Sequence, residues 1–154
     1  MKLYIDADAC PRVIKDIIYR AVKRTNVVLI MVTNQQMTIP NSPLISLISV
    51  EAGADVADDK IVELVQSGDL VITADIPVAD RVVSKDAYAL DPRGAFHTKE
   101  TIKQRLAVRD LMDHLRSNGA IIGGPAIFNQ KDRQAFANQL DKFLQQWIIK
   151  DNQN

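Results

Sequence analysis

The sequence predicts an α/β protein: a mostly parallel sheet of about four to five strands with helices on both faces, and a helical C-terminal third. Three observations predict it. The apolar runs at residues 3–5, 27–32 and 70–72 show no polar alternation, as expected of strands buried on both faces. Stretches of helical periodicity separate most of the strands, and parallel strands need such crossovers. Two runs end in aspartates, Asp6 and Asp75, at the strand ends where open α/β sheets bind ligands.

The first strand runs straight into D-A-D-A-C-P-R, and Pro11 opens a helix over 11–24, at a position where a missing N–H costs nothing. Val13, Ile14, Ile17, Ile18, Ala21 and Val22 form its apolar stripe. A strand at 27–32, a loop at 33–43 rich in Asn, Ser and Pro, and a strand at 44–50 follow. A helix over 55–67 buries Ile61, Val62, Leu64 and Val65, with Gly68 closing it. After the strand at 70–74, Pro77 opens a helix carrying Val78, Val82 and Val83. Residues 87–90 add an edge strand before the turn Asp91-Pro92-Arg93-Gly94. Thr98 caps a long helix ending at Ser117, Gly119 stops it, and Gly123-Gly124-Pro125 turns the chain into a last helix over 130–149. In that helix Phe136, Leu140, Phe143, Leu144 and Trp147 recur at helical spacing, the pattern of core packing.

At 154 residues the chain is one domain, over 1–150, with a disordered tail at 151–154. A chain of this size buries about 68–70% of its unfolded surface and needs no covalent staples. Its single cysteine, Cys10, excludes an internal disulfide framework and a cysteine zinc cluster, and reads as a buried structural thiol. His97 and His114 have no ligand spacing and are expected at the surface. The chain opens on a strand and contains no apolar run near the roughly 20 residues that span a bilayer, so a cytoplasmic location is expected. Net charge is zero, which does not advertise a strong binder of nucleic acid. The charge is uneven, however: residues 51–80 hold eight acids against one base, Lys60, and the flanking segments are basic. Apolar positions left over on the last two helices give an expectation of a homodimer.

Asp6 and Asp8 lie two apart, so both project to one face if the strand persists through them. Asp55, Asp58 and Asp59 share one face at the start of a helix, where the macrodipole favours anions and capping is the plainer explanation. Carboxylates converging on one crevice repel one another, and their hard oxygens suit Mg²⁺ or Mn²⁺.

The motifs I-D-A-D-A-C-P, G-A-D-V-A-D-D-K-I-V, G-D-L-V-I-T-A-D-I-P, D-P-R-G, R-D-L-M-D, G-G-P and D-R-Q-A-F-A, in this order over 1–144, resemble the YaiI/YqxD family of bacterial proteins. That family is similar to the PIN-like nucleases, in which acids after the first strand, in a central helix and after the fourth strand surround Mg²⁺ or Mn²⁺. The resemblance implies a PIN-like fold, with Asp6 in the first place, Asp55 or Asp58 in the second, Asp75 in the third and Asp8 as an addition. Asp80 is the nearest candidate for the further acid of that superfamily.

Three functions follow. The first is a metal-dependent phosphodiesterase acting on RNA, with Asp6, Asp8 and Asp75 catalytic. Asp6, Asp8, Asp55, Asp58 and Asp75 would hold the metal, and Arg12, Arg93 and Arg109 would contact phosphate. The second is a non-catalytic module binding RNA or protein. The third is a phosphatase of the haloacid dehalogenase type with Asp6 as nucleophile. Motif order opposes the third, since Asp58-Asp59 precedes Thr73 and Cys10 stands where Thr or Val is wanted.

Overall fold

A computed structural model of the chain describes residues 1–121, 123 and 127–153. Among these residues six strands form one sheet: β1 (Lys2–Asp6), β2 (Val28–Thr33), β3 (Ile45–Ser49), β4 (Leu70–Ile72), β5 (Tyr88–Leu90) and β6 (Phe96–His97), in the order β3-β2-β1-β4-β5-β6. The first five are parallel and β6 is antiparallel to β5. The architecture is the predicted α/β class, and it is consistent with a PIN-like fold. It has one strand more than the sequence predicts, because a two-residue strand carries no periodicity to read.

Among the described residues five helices complete the fold: α1 (Arg12–Thr25), α2 (Val56–Leu64), α3 (Ile76–Ser84), α4 (Lys99–Ser117) and α5 (Gln130–Gln153). Alternate strand residues face opposite layers. Leu3 and Ile5 pack with Ile14 and Ile18 of α1 and with Phe136, Leu140 and Leu144 of α5. Tyr4 and Val71 pack with Ile61 of α2, Val78 and Val82 of α3 and Ile102 of α4. Of the stripe predicted on α5, Phe136, Leu140 and Leu144 are therefore core, and Phe143 and Trp147 pack half-buried against it. The second half of α4 leaves Val108, Leu111 and Leu115 exposed.

The strand order places the site. From β1 the chain moves outward to β2 and β3, then returns to β4 on the other flank of β1. Neighbouring strands whose connections leave in opposite directions open a crevice at their carboxyl ends, here after Asp6 and Ile72.

Several sequence boundaries are corrected. Pro11 is the N-cap of α1, one residue before the helix. The helix predicted over 55–67 ends at Leu64, where Val65 turns extended and buries its side chain. The buried Asp69 carboxylate explains the early stop: it accepts hydrogen bonds from Gln66 N at 2.9 Å and Lys2 N at 2.9 Å. Gly68 thus sits in a later turn with φ 89°, not at the helix end. Residues 151–153, expected to be a disordered tail, continue α5. Gly124 and Pro125 of the expected Gly-Gly-Pro turn lie outside the described residues. Among those residues no helix is long and apolar enough to cross a membrane.

Candidate functional site

Asp6 ends β1, and the chain turns around its side chain. Asp6 Oδ1 accepts from the amides of Asp8 at 3.0 Å and Ala9 at 3.2 Å, while Cys10 N donates to the Asp6 carbonyl at 3.0 Å. Burial nonetheless raises the Asp6 carboxyl above its ordinary value, and the charge of Asp8 adds to the rise against those two amides.

The strand stops at Asp6, so Asp8 does not share its face by alternation. Asp8 instead reaches the end of β2, accepting from Thr33 Oγ1 at 2.6 Å and Asn34 N at 2.8 Å. Asp75 is the N-cap of α3: it accepts from Val78 N at 3.0 Å, and its own amide donates to Thr73 Oγ1 at 3.0 Å. Asp55 is the N-cap residue of α2 at φ 65°, but its side chain makes no cap bond, so the capping explanation fails for it. Asp59 turns away to Arg81 at 2.7 Å, and Asp80 to Lys103 at 2.9 Å.

Two adjoining cavities gather these groups. The larger, about 650 Å³, is lined by Asp6, Asp58, Asp75 and Asp91 together with Cys10, Ile72, Arg93 and Phe128. The smaller, about 220 Å³, is lined by Asp6, Asp8, Asp55 and Asp58 beside Asn34. Asp6 and Asp58 belong to both. Burial, and then the charges of Asp75, Asp6, Asp55 and Asp59, push the Asp58 carboxyl up to about 6.

Of the three arginines, Arg93 lines the larger cavity. Its Nη1 donates to Asp132 Oδ2 at 2.9 Å, and its guanidinium carbon stands 5.6 Å from the Phe128 ring centroid. Arg12 is exposed at the start of α1 and is not on the lining of either cavity. Arg109 lies on the exposed half of α4, 3.5 Å from Asp113 at i+4, and is not on the lining either.

Cys10 fits a structural role, because burial pushes its thiol up to about 12. His114 is exposed as expected. His97 is not: it is 7% exposed on β6, with Nδ1 2.7 Å from Arg105 Nη1 and with Nε2 lacking a partner among the described residues. An arginine only donates, so Nδ1 accepts and Nε2 carries the proton.

The donor set is all carboxylate oxygen, the chemistry of a hard cation. Among the described residues no group of three or more His, Cys, Asp or Glu is drawn together closely enough to hold a metal ion. Asp6, Asp8 and Asp75 each spend an oxygen on backbone amides of their own fold. The residues therefore fit a cation that keeps several waters and touches one or two carboxylates, the habit of Mg²⁺, better than one enclosed by all five.

Sequence reasoning missed Asp91, which directly follows β5 and lines the larger cavity. Its signal was the one that picked out Asp6 and Asp75, an acid at a strand's carboxyl end, masked by the Asp-Pro turn. Thr33, Asn34 and Phe128 offered no signal of their own, since their roles depend on contacts far along the chain.

Fold and site together define a class: an α/β protein with an acidic crevice at the switch point of a mostly parallel sheet. Over residues 4–146 the chain matches the family described as Uncharacterized BCR, YaiI/YqxD family, and it belongs to that family. It is 56% identical over 144 residues to a UPF0178 protein of Thioalkalivibrio sulfidiphilus, covering 94% of this chain and 98% of the relative. A UPF0178 protein of Pectobacterium atrosepticum is 53% identical over 146 residues, covering 95% and 97%. One of Burkholderia ambifaria is 54% identical over 144 residues, covering 94% and 96%. No solved structure matches the chain.

Proposed function

We propose that the acidic crevice binds Mg²⁺ or Mn²⁺ and hydrolyses phosphodiester bonds in RNA. The observation that carries this reading is Asp58: it lines both cavities together with Asp6, and burial, then the charges of Asp75, Asp6, Asp55 and Asp59, push its carboxyl up to about 6. An arrangement that costs folding energy without a counter-ion is explained by a ligand that supplies one. The resemblance to PIN-like nucleases points the same way.

A bound cation lowers the pKa of a water nucleophile and draws charge from the phosphate. Asp6 and Asp58, common to both cavities, would hold the cation. Asp75 is oriented by Val78 N, and Asp8 by Thr33 and Asn34, so both would offer fixed oxygens to the waters that such a cation keeps. Arg93 lies on the larger cavity, where a phosphate would enter.

Asn caps helices as well as Asp, so Asp75→Asn keeps α3 in place. In Mn²⁺, Asp6→Asn and Asp75→Asn are expected to lose at least about 100-fold in RNA hydrolysis while melting cooperatively. An Asn variant with wild-type turnover contradicts the assignment. The hydrogen bonds that Asp8 and Asp75 already make favour one other reading, a non-catalytic module in which these acids are structural. RNA affinity with a steep salt dependence and no cleavage supports that alternative.

A further inference from the structure

The larger cavity has two kinds of lining. Beside Asp6, Asp58 and Asp75 it presents Pro11, Ile72 and the ring of Phe128. A site that reads only a phosphodiester backbone needs charge and has no use for apolar surface. At about 650 Å³ the cavity falls in the usual range of roughly 300–1,000 Å³ for small-molecule sites, room for a nucleotide.

Within it, the Arg93 guanidinium stands over the Phe128 ring at 5.6 Å. Four hydrogen bonds fix Arg93 and the Asp132 that holds it. Arg93 Nη1 bonds Asp132 at 2.9 Å, Arg93 N donates to Asp91 Oδ1 at 2.7 Å, and Asn129 and Asp132 bond each other's amides at the start of α5. A guanidinium over an aromatic ring offers a planar cation and a π-face side by side, the two kinds of group on which unpaired bases stack.

We infer that Arg93 and Phe128 form a stacking subsite for one nucleobase, so the substrate is a single strand or an unpaired segment rather than a duplex. This rests on the phosphodiesterase reading, and it assigns specificity to residues outside the carboxylate set. A base within a duplex is stacked on its neighbours and cannot reach the subsite.

The test separates base binding from hydrolysis. Adenosine carries no phosphate and needs no cation, so it is titrated in EDTA against the ¹⁵N-labelled protein, following the amides of Asp91 and Arg93. Saturable shifts are expected at millimolar adenosine, none with ribose, and at least about 5-fold weaker binding in Phe128→Leu. Phe128→Tyr keeps the ring and should bind like wild type. In Mn²⁺, Phe128→Leu should raise KM for a single-stranded oligoribonucleotide by a similar factor with little change in kcat. Equal melting of Phe128→Leu and wild type shows that packing is intact. If adenosine binds as described but no RNA is cleaved, the subsite stands and the hydrolytic reading falls. If wild type cleaves RNA while adenosine produces no shifts, or Phe128→Leu and Phe128→Tyr behave alike in both assays, the subsite is overturned and the hydrolytic reading survives.

Discussion

Burial and neighbouring carboxylates push the Asp58 carboxyl up to about 6 in the native protein, above the ordinary value of 3.8 that holds in the unfolded chain. Between those values the native state binds more protons, so stability falls as pH rises through the window and stays reduced above it. Asp58→Asn is therefore expected to raise stability at pH 7–8 by about 1 kcal/mol, after allowing for solvent screening of a half-exposed group. The gain should vanish by about pH 4, and urea melts of the two proteins across pH check it. His97 works in the opposite sense. Burial, aided by Arg105, lowers its pKa below 6.5, so it opposes folding increasingly as pH falls from that value. Asp6, Asp58 and Asp75 were legible in the sequence because strand ends and helix starts carry a local pattern. The burial of His97 was not, since the lone histidine of a two-residue strand shows nothing of the layer it faces.

At the scale of elements, the turn after β5 is fixed by Gly94. Its φ is 93°, and a Cβ there would meet backbone and side-chain atoms of Ala135 and Phe136 at 2.6–2.8 Å. Helix α5 thus packs on bare backbone. Gly94→Ala is expected to cost about 2–4 kcal/mol from overpacking and left-handed strain together, with loss of amide-exchange protection concentrated at the start of α5. Unchanged stability would mean that α5 can shift freely there. Because this turn also carries Asp91 and Arg93, the same variant should impair the larger cavity while leaving the smaller one lined as before. The α4 start was legible from Thr98, whose hydroxyl accepts from Thr101 N while its amide donates to Thr101 Oγ1 in a capping box. The end of α2 was not, because it depends on Asp69 binding Lys2, 67 residues away.

For the molecule as a whole, fold class followed from uninterrupted apolar strands alternating with amphipathic helices, and those signals are local. Strand order is not local. Only the position of β4 beside β1 brings Asp6 to Asp75, with Asp58 reaching both from the start of α2, and the sequence offered this as convergence without its geometry. The central claim is that this convergence holds a cation. Thermal melts of metal-stripped wild type and Asp58→Asn, with and without Mn²⁺, test it most directly. At about a hundredfold excess over Kd the ion should stabilise wild type by about 2.7 kcal/mol, or roughly 5–10 °C, and stabilise Asp58→Asn clearly less. The variant that melts higher without metal should then melt lower with it. Wild-type and variant midpoints that both stay unmoved at millimolar Mn²⁺ and Mg²⁺ would contradict the claim.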